Sequence, residues 1–361
     1  MKSRLAALCL LPALALSETT DEPAPPSKSV LQTALSWMQS SDPDRRHAAY
    51  RSVHLIGEEA LPGFKQALQA AAKFHEHRLG DLLSGKSGDG NPYRELGAIL
   101  EELQTERERV HALLLIDYHK EPTKIRMLRD EMEALTRLYE RAVKHSSADP
   151  TALDREVDGV ALALVEIHAE LKRFEELSYG EAGKEDQRPI EEQKLAALKD
   201  TFQGDTYLRD KSRFTKFRSE CDALALAESD NKNCSWANSS QRDFATLLNH
   251  ERAATGLPAL RLEEDLSRAA TDHSKDMISV GFFAHNSPVK GKASPSDRAR
   301  MAGFKSRWTG ENIFMGSPSH SAAYSAWFGS DGHRFIMFAK GPNLLGLGPV
   351  GKHWTLMTGR R

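Results

Sequence analysis

Leu153, Val157, Val160, Leu164, Ile167, Leu171 and Phe174 recur at alternating intervals of four and three residues. Apolar residues at that spacing form one stripe along a helix, and so long a stripe must be covered by another helix or by a second copy of the chain. Two further stripes come before it. Leu96, Leu100, Leu103, Val110 and Leu114 share one helical face, and Ile125, Leu128, Met132, Leu135, Leu138 and Ala142 share another. Glu121-Pro122 and Asp149-Pro150-Thr151 separate the three as helix stops and restarts. The spacing predicts an antiparallel helical hairpin packed within the chain, with self-association through the heptad helices as the alternative.

Helical periodicity also marks the flanks of this region. Trp37, Tyr50, Val53, Leu55, Ile56, Leu61, Phe64 and Leu68 fall in short amphipathic blocks broken at Asp42-Pro43 and Leu61-Pro62, and no second copy follows at a fixed period. His75-Glu76-His77 does not make a metal pair, because residues two apart on a helix point to different faces, and it reads as a solvated helical face. Ser84 to Pro92 reads as a loop, Glu191 to Ala227 as helix again, and Asp230 to Ser240 as a polar hinge. The expected division is a leader over 1–17, a linker over 18–28, a helical region over 29–230, a hinge over 231–240 and a second domain over 241–361 with a core of its own.

The leader carries an address. Lys2 and Arg4 precede the apolar run from Leu5 to Leu16, and Ala15-Leu16-Ser17 offers a small-x-small cleavage pattern near Ser17. The run is shorter than the ~20 residues a spanning helix needs, and no later stretch reaches that length, so no transmembrane helix is expected. A lipoprotein anchor at Cys9 fits less well, because Leu8 is bulky. The chain is expected to be secreted or periplasmic. Cys221 and Cys234 would then form a disulfide, with two free thiols as the alternative. Across 361 residues, 49 Lys+Arg stand against 51 Asp+Glu, so no bulk field draws the protein to nucleic acid.

After Ser240 the texture changes to short blocks. Asn249-x-x-Arg252 leads to Gly256-Leu257, and Ala270-x-x-His273-Ser274-x-x-Met277 follows. Then come Phe282-Phe283-Ala284-His285-Asn286-Ser287-Pro288, Gly310-Glu311-Asn312-Ile313, Ala326-Trp327 through His333-Arg334, Leu345-Gly346-Leu347-Gly348 and His353-Trp354-Thr355. In this order the blocks resemble the bacterial branch of the CAP superfamily, the cysteine-rich secretory, antigen 5 and pathogenesis-related 1 proteins. The resemblance covers residues 241 to 361. It implies an α+β chain in which a C-terminal α-β-α sandwich around an antiparallel sheet follows the all-α region. It also implies a cleft holding two histidines and two acids.

Carried over by motif, the cleft residues are His285, Glu311 and His333. The second acid has no counterpart, because Ser330 stands three residues after Trp327. Leu356 and Phe335-Ile336 replace polar residues of the family pattern, which makes the cleft less polar. Two neutral imidazoles and a carboxylate suit a divalent ion such as zinc and leave a position open for water. Without metal, the same groups serve as an acid/base pair or simply organise loops. No nucleophile elbow or His-Glu-x-x-His helix accompanies them. Asn249, Arg252 and Asn312 are expected to tie elements together, and Trp327 and Trp354 to fill the core. His273 reads as a satisfied interior histidine.

The functional expectation is an exported protein whose CAP domain binds an envelope or extracellular ligand, whether peptide, glycan or lipid, beside a helical scaffold. The alternatives are a metal-dependent, peptidase-like hydrolase using the same three residues, and an interaction protein acting through its helices.

Overall fold

The computed structural model describes residues 28–40, 42–52, 61–84, 92–147, 151–179 and 188–361, so the expected leader and most of the linker lie outside the described residues, as do Cys9, Val53, Leu55 and Ile56. The chain divides into two compact units, Met1–Gly80 with Val157–Lys199 and Asp81–Glu156 with Asp200–Arg361.

The first unit is built from α1 (Lys28–Met38), α2 (Pro43–Ser52), α3 (Leu61–Ser84) up to Gly80, and part of α6 (Thr151–Tyr179). Its core joins Met38, Ala49, Phe64, Leu68, Ala71 and Ala72 to Ile167 of the heptad stripe, with Leu171 packed alongside. Val157, Val160 and Leu164 are buried too, so the stripe is used inside the chain. His75 is not on a solvated face as expected: it is fully buried and donates from Nε2 to Met38 O at 3.0 Å.

The hairpin is formed by the two earlier stripes. In the second unit, α4 (Pro92–Leu114) and α5 (Pro122–Ser146) lie antiparallel, and ion pairs join Arg109 to Glu131 and Arg141 to Glu102 across them. The long helix α7 (Arg188–Lys232) contributes Phe217 to the same core. It continues through Cys221, which corrects the expected disulfide. At about 1.5 Å per residue, the helical run from Cys221 to Lys232 carries the chain roughly 16 Å away from Cys221, and the Cys234 thiol turns back only as far as Asp230 O, where a bridge needs Cα atoms within ~7 Å. Both cysteines are free.

The remaining elements are α8 (Ser239–Ala254), β1 (Arg261–Leu262), α9 (Glu264–Val280), α10 (Pro295–Met301), β2 (Arg307–Met315), α11 (His320–Phe328), α12 (Asp331–Met337), β3 (Leu344–Val350) and β4 (His353–Arg360). The sheet order is β1-β3-β4-β2. It is mixed rather than wholly antiparallel, because β1 runs parallel to β3.

Side chains alternate across the sheet with period two. Leu345, Leu347, Trp354 and Leu356 face α8 and α11 and join the large core, while Leu344 and Met357 face Leu266, Ala269 and Ala270 of α9. Gly346 and Gly348 fall on the α9 side, where added Cβ atoms would meet Leu266 Cβ at 2.4 Å and Ala270 C at 2.2 Å. Glycine there lets the helix lie directly on the strand.

The large core crosses residue 240. Leu103, Val110 and Leu114 of α4 and Leu128, Met132 and Leu135 of α5 belong to the same cluster as Phe244, Leu248, Tyr324 and Trp327. The segment expected as a hinge begins inside α7 and is tied down: buried Asn231 donates to Leu260 O at 3.1 Å and accepts from Leu262 N at 2.7 Å.

Candidate functional site

The β2 strand places neighbouring residues on opposite faces. Asn312 is fully buried and donates from Nδ2 to His333 O at 3.0 Å, which fixes α12 against the strand. Glu311 points the other way, and both carboxylate oxygens are engaged. Arg298 Nη2 donates to Oε2 at 2.6 Å, and His285 Nδ1 donates to Oε1 at 2.9 Å. The Arg298 and Glu311 side chains are each 1% exposed, whereas His285 is 49% exposed. A buried ion pair thus holds one edge of a solvent-facing imidazole, leaving its Nε2 as the free hydrogen-bonding atom.

The loop bearing His285 is anchored at several points. Buried His273 on α9 donates from Nε2 to Ala284 O at 3.1 Å, and its ring lies 5.8 Å from that of Phe282. Burial holds the pKa of His273 below the ordinary histidine value. Arg298 Nη1 donates to Lys292 O at 3.1 Å, and Lys292 itself pairs with Asp276 at 2.9 Å. Arg298 comes from α10, whose start is set by a reciprocal cap between Ser294 and Asp297 with Pro295 in the first turn.

His333 stands at the margin of this group. Its Nδ1 shares a hydrogen bond with Ser330 Oγ at 2.7 Å, so the serine in the position of the missing acid supplies a neutral partner. Burial lowers the pKa of His333, and the nearby charge of His285 lowers it further. The structure therefore brings His285 and Glu311 into contact and places His333 within their electrostatic reach. It does not assemble the expected metal ligands: among the described residues no group of three His, Cys, Asp or Glu side chains is arranged to hold an ion. Arg298 neutralises Glu311 and occupies one of its oxygens, so the carboxylate of this group already has a cationic partner.

The supporting residues connect separate elements. Asn249 on α8 donates to Leu260 O at 2.9 Å and accepts from Leu260 N at 2.7 Å. Fully buried Arg252 donates to Pro258 O, Met337 O and Ala339 O, and burial pulls its pKa down to about 9, still a cation at neutral pH. Trp327 Nε1 donates to Ile313 O and Trp354 Nε1 to Ser317 O, with both rings in the core.

Residues 245–350 match the family described as the cysteine-rich secretory protein family, CAP. They form a CAP domain. A similar curated protein is the uncharacterized YkwD of Bacillus subtilis, 34% identical over 117 residues, which are 32% of this chain and 45% of that protein. The uncharacterized membrane protein YlbC of the same organism is 28% identical over 164 residues, 45% of this chain and 46% of that protein. The chain thus matches less than half the length of either relative. Among solved structures, an extracellular protein containing an SCP domain from Bacillus anthracis is 29% identical, covers 33% of this chain and 40% of its own, and has a TM-score of 0.32. An outer surface protein from Borrelia burgdorferi is 12% identical, covers 34% of this chain and 94% of its own, and has a TM-score of 0.30.

Arg298 was not legible as a site residue. A buried arginine announces itself only through the acid it meets, and that acid lies on another element. Within the CAP domain His273 had a motif, but its task of holding the backbone beside His285 is a tertiary contact.

Proposed function

We propose that this chain is an exported protein whose CAP domain binds a ligand from the envelope or extracellular space at the exposed edge of His285, with the helical regions as scaffold. One observation carries the reading. A buried Arg298–Glu311 pair and a pinned loop hold a half-exposed histidine in a fixed orientation, an arrangement that presents a hydrogen-bonding atom to a visitor without reorganisation. His333 widens the polar surface with an imidazole that burial keeps neutral at pH 7. Export rests on the leader pattern at Lys2, Arg4 and Leu5 to Leu16. Among the described residues no helix is long and apolar enough to cross a membrane.

The hydrolase alternative draws support from the same pair, since an acid on Nδ1 is how a general-base histidine is oriented. The metal-dependent form is opposed by Arg298. Calorimetric titration with zinc separates them: the expected result is no stoichiometric binding that disappears in His285→Ala. Capture of solubilised envelope components on the immobilised full chain, lost in His285→Ala and kept in an exposed-site control such as Lys305→Ala, is the result expected for ligand binding. Zinc bound in a 1:1 ratio and lost with His285 would overturn the proposal in favour of the metal hydrolase.

A further inference from the structure

The large apolar side chains that the CAP domain leaves exposed are gathered at one end of it. Over residues 239–361 they are Ile278 (47% exposed), Val280 (54%), Phe283 (45%), Met301 (65%) and Met315 (53%), and all but Met301 belong to that end. The fold brings them there. Gly346 of β3 lies against Leu266 of α9 and Gly348 against Ala270, so helix and strand run in the same direction, and Ser274 Oγ donates to Gly348 O at 2.7 Å. The last turn of α9, with Ile278 and Val280, therefore ends beside the turn between β3 and β4. Phe283, just beyond the helix, has its ring 6.4 Å from that of His353 at the start of β4. Met315 is paired with His353 across β2 and β4, and Gly316 N donates to Lys352 O at 2.9 Å. Single exposed apolar side chains are ordinary on a protein surface, whereas four at one end mark a contact.

The free charge at this end has one sign. The segments 273–293, 313–320 and 349–354 that build it contain Lys275, Lys290, Lys292 and Lys352 and a single acid, Asp276. Lys292 pairs with that acid at 2.9 Å, and among the described residues none of the other three lysines has an ion-pair partner. Lys275 stands one turn before Ile278 on the same side of α9, Lys352 precedes His353, and the Lys292–Asp276 pair holds the turn bearing Lys290 against α9. The next acid along the helix, Asp272, lies a turn farther from the end.

Two features choose the occupant. An excess of lysines without a free acid complements an anionic surface. The apolar side chains, for their part, stand on a helix end, a loop and a strand end, and none of the four lines the pockets that open beside Arg107, Trp236, Cys221 or Arg141. A folded partner needs a continuous complementary seat, but a fluid headgroup layer closes around separate apolar points ringed by lysines.

We propose that this end of the CAP domain docks on an anionic lipid surface, with Ile278, Val280, Phe283 and Met315 entering the headgroup boundary and Lys275, Lys290 and Lys352 meeting lipid phosphates. The contact uses neither Glu311 nor Nε2 of His285, so it and the ligand reading at His285 can fail separately. The test is co-sedimentation of the full chain with vesicles of phosphatidylcholine alone and of equal parts phosphatidylcholine and phosphatidylglycerol. The expected result is binding about tenfold tighter to the mixed vesicles, weakened about tenfold by Phe283→Ser with Met315→Ser and, separately, by Lys290→Glu with Lys352→Glu, and unchanged in His285→Ala. The four substituted side chains in the two paired variants are exposed, so the core is spared. Every variant carries the leader, whose apolar run therefore cannot produce these differences. Phe283→Trp should add a fluorescence that brominated lipid chains quench. Equal binding to both kinds of vesicle, no binding to either, or binding indifferent to the loss of Phe283 and Met315, as a purely ionic contact with an acidic protein would give, would each overturn the proposal. So would a dimer of this chain that Phe283→Ser dissociates and that excludes vesicles.

Discussion

Glu311 and Arg298 are two charges in a place that excludes water, and each is tolerable only because of the other. Truncating Arg298 to Met should leave an uncompensated buried carboxylate and destabilise the protein by about 3 kcal/mol, while adding Glu311→Gln should recover a large part of that loss. Urea unfolding of the single and double variants measures it, and equal midpoints for Arg298→Met and the parent would show the pair to be energetically idle. At His75 the effect is a proton. Burial, reinforced by the charges of Arg46 and Arg78, holds its pKa below 6.5, against the opposing pull of its bond to Met38 O. The unfolded chain therefore takes up the proton first as the pH falls, so stability present above about pH 6.5 is lost below it. His111, His273 and His333, all lowered mainly by burial, act in the same direction. The melting temperature should drop between pH 7.5 and 5.5, and His75→Gln should reduce the drop.

Among the elements, the contact between α9 and the sheet is the tightest. Gly348→Ala would drive a Cβ to 2.3 Å from Thr271 N and 2.2 Å from Ala270 C, both backbone atoms that cannot rotate away. The helix would have to lift from the strand, a change expected to cost about 3 kcal/mol by thermal or chemical unfolding. Gly332→Ala in α12, where nothing lies within 4 Å, is the matched control and should change stability little. The block Leu345-Gly346-Leu347-Gly348 was legible beforehand as part of the CAP resemblance. That its glycines face a helix, and that the helix is α9, was not, because the contact depends on a chain segment some eighty residues away.

On the scale of the whole second unit, three arginines join the helical hairpin to the CAP domain. Arg107 donates to Ala253 O and Ala254 O, both at 3.0 Å, which covers the open carbonyls at the end of α8. Arg129 pairs with buried Glu251 at 2.7 Å, and Tyr324 donates its hydroxyl to the same carboxylate. Arg334, fully buried, donates to Leu114 O at 3.0 Å and Ile116 O at 2.8 Å in the connection between α4 and α5. A fragment starting at Ser235 would keep the sheet and its helices but strand Glu251, free the donors of Arg334 and uncover Phe244 and Leu248. It should unfold at a lower urea concentration than the full chain and bind a hydrophobic dye. A midpoint equal to that of the full chain would mean that the shared core contributes nothing to stability.

Periodicity and local stops were enough to establish the helices and the break at Pro122, and the resemblance of short motifs to the CAP family was enough to mark the C-terminal domain with His285 and Glu311, since each of these is written in residues close together in sequence. The partner of each stripe was decided only in three dimensions. The heptad of α6 meets the core of α1 to α3, while α4 and α5 pair with each other and share their remaining apolar face with α8 and α11. The same holds for Arg298: its side chain became part of the site only when the fold brought α10 against β2. An apolar stripe states how much surface must be covered, and a lone buried charge states that it needs an opposite. Neither states which of many equally apolar or equally acidic segments will satisfy it, because that choice is made by packing and by the exclusion of water from the folded chain.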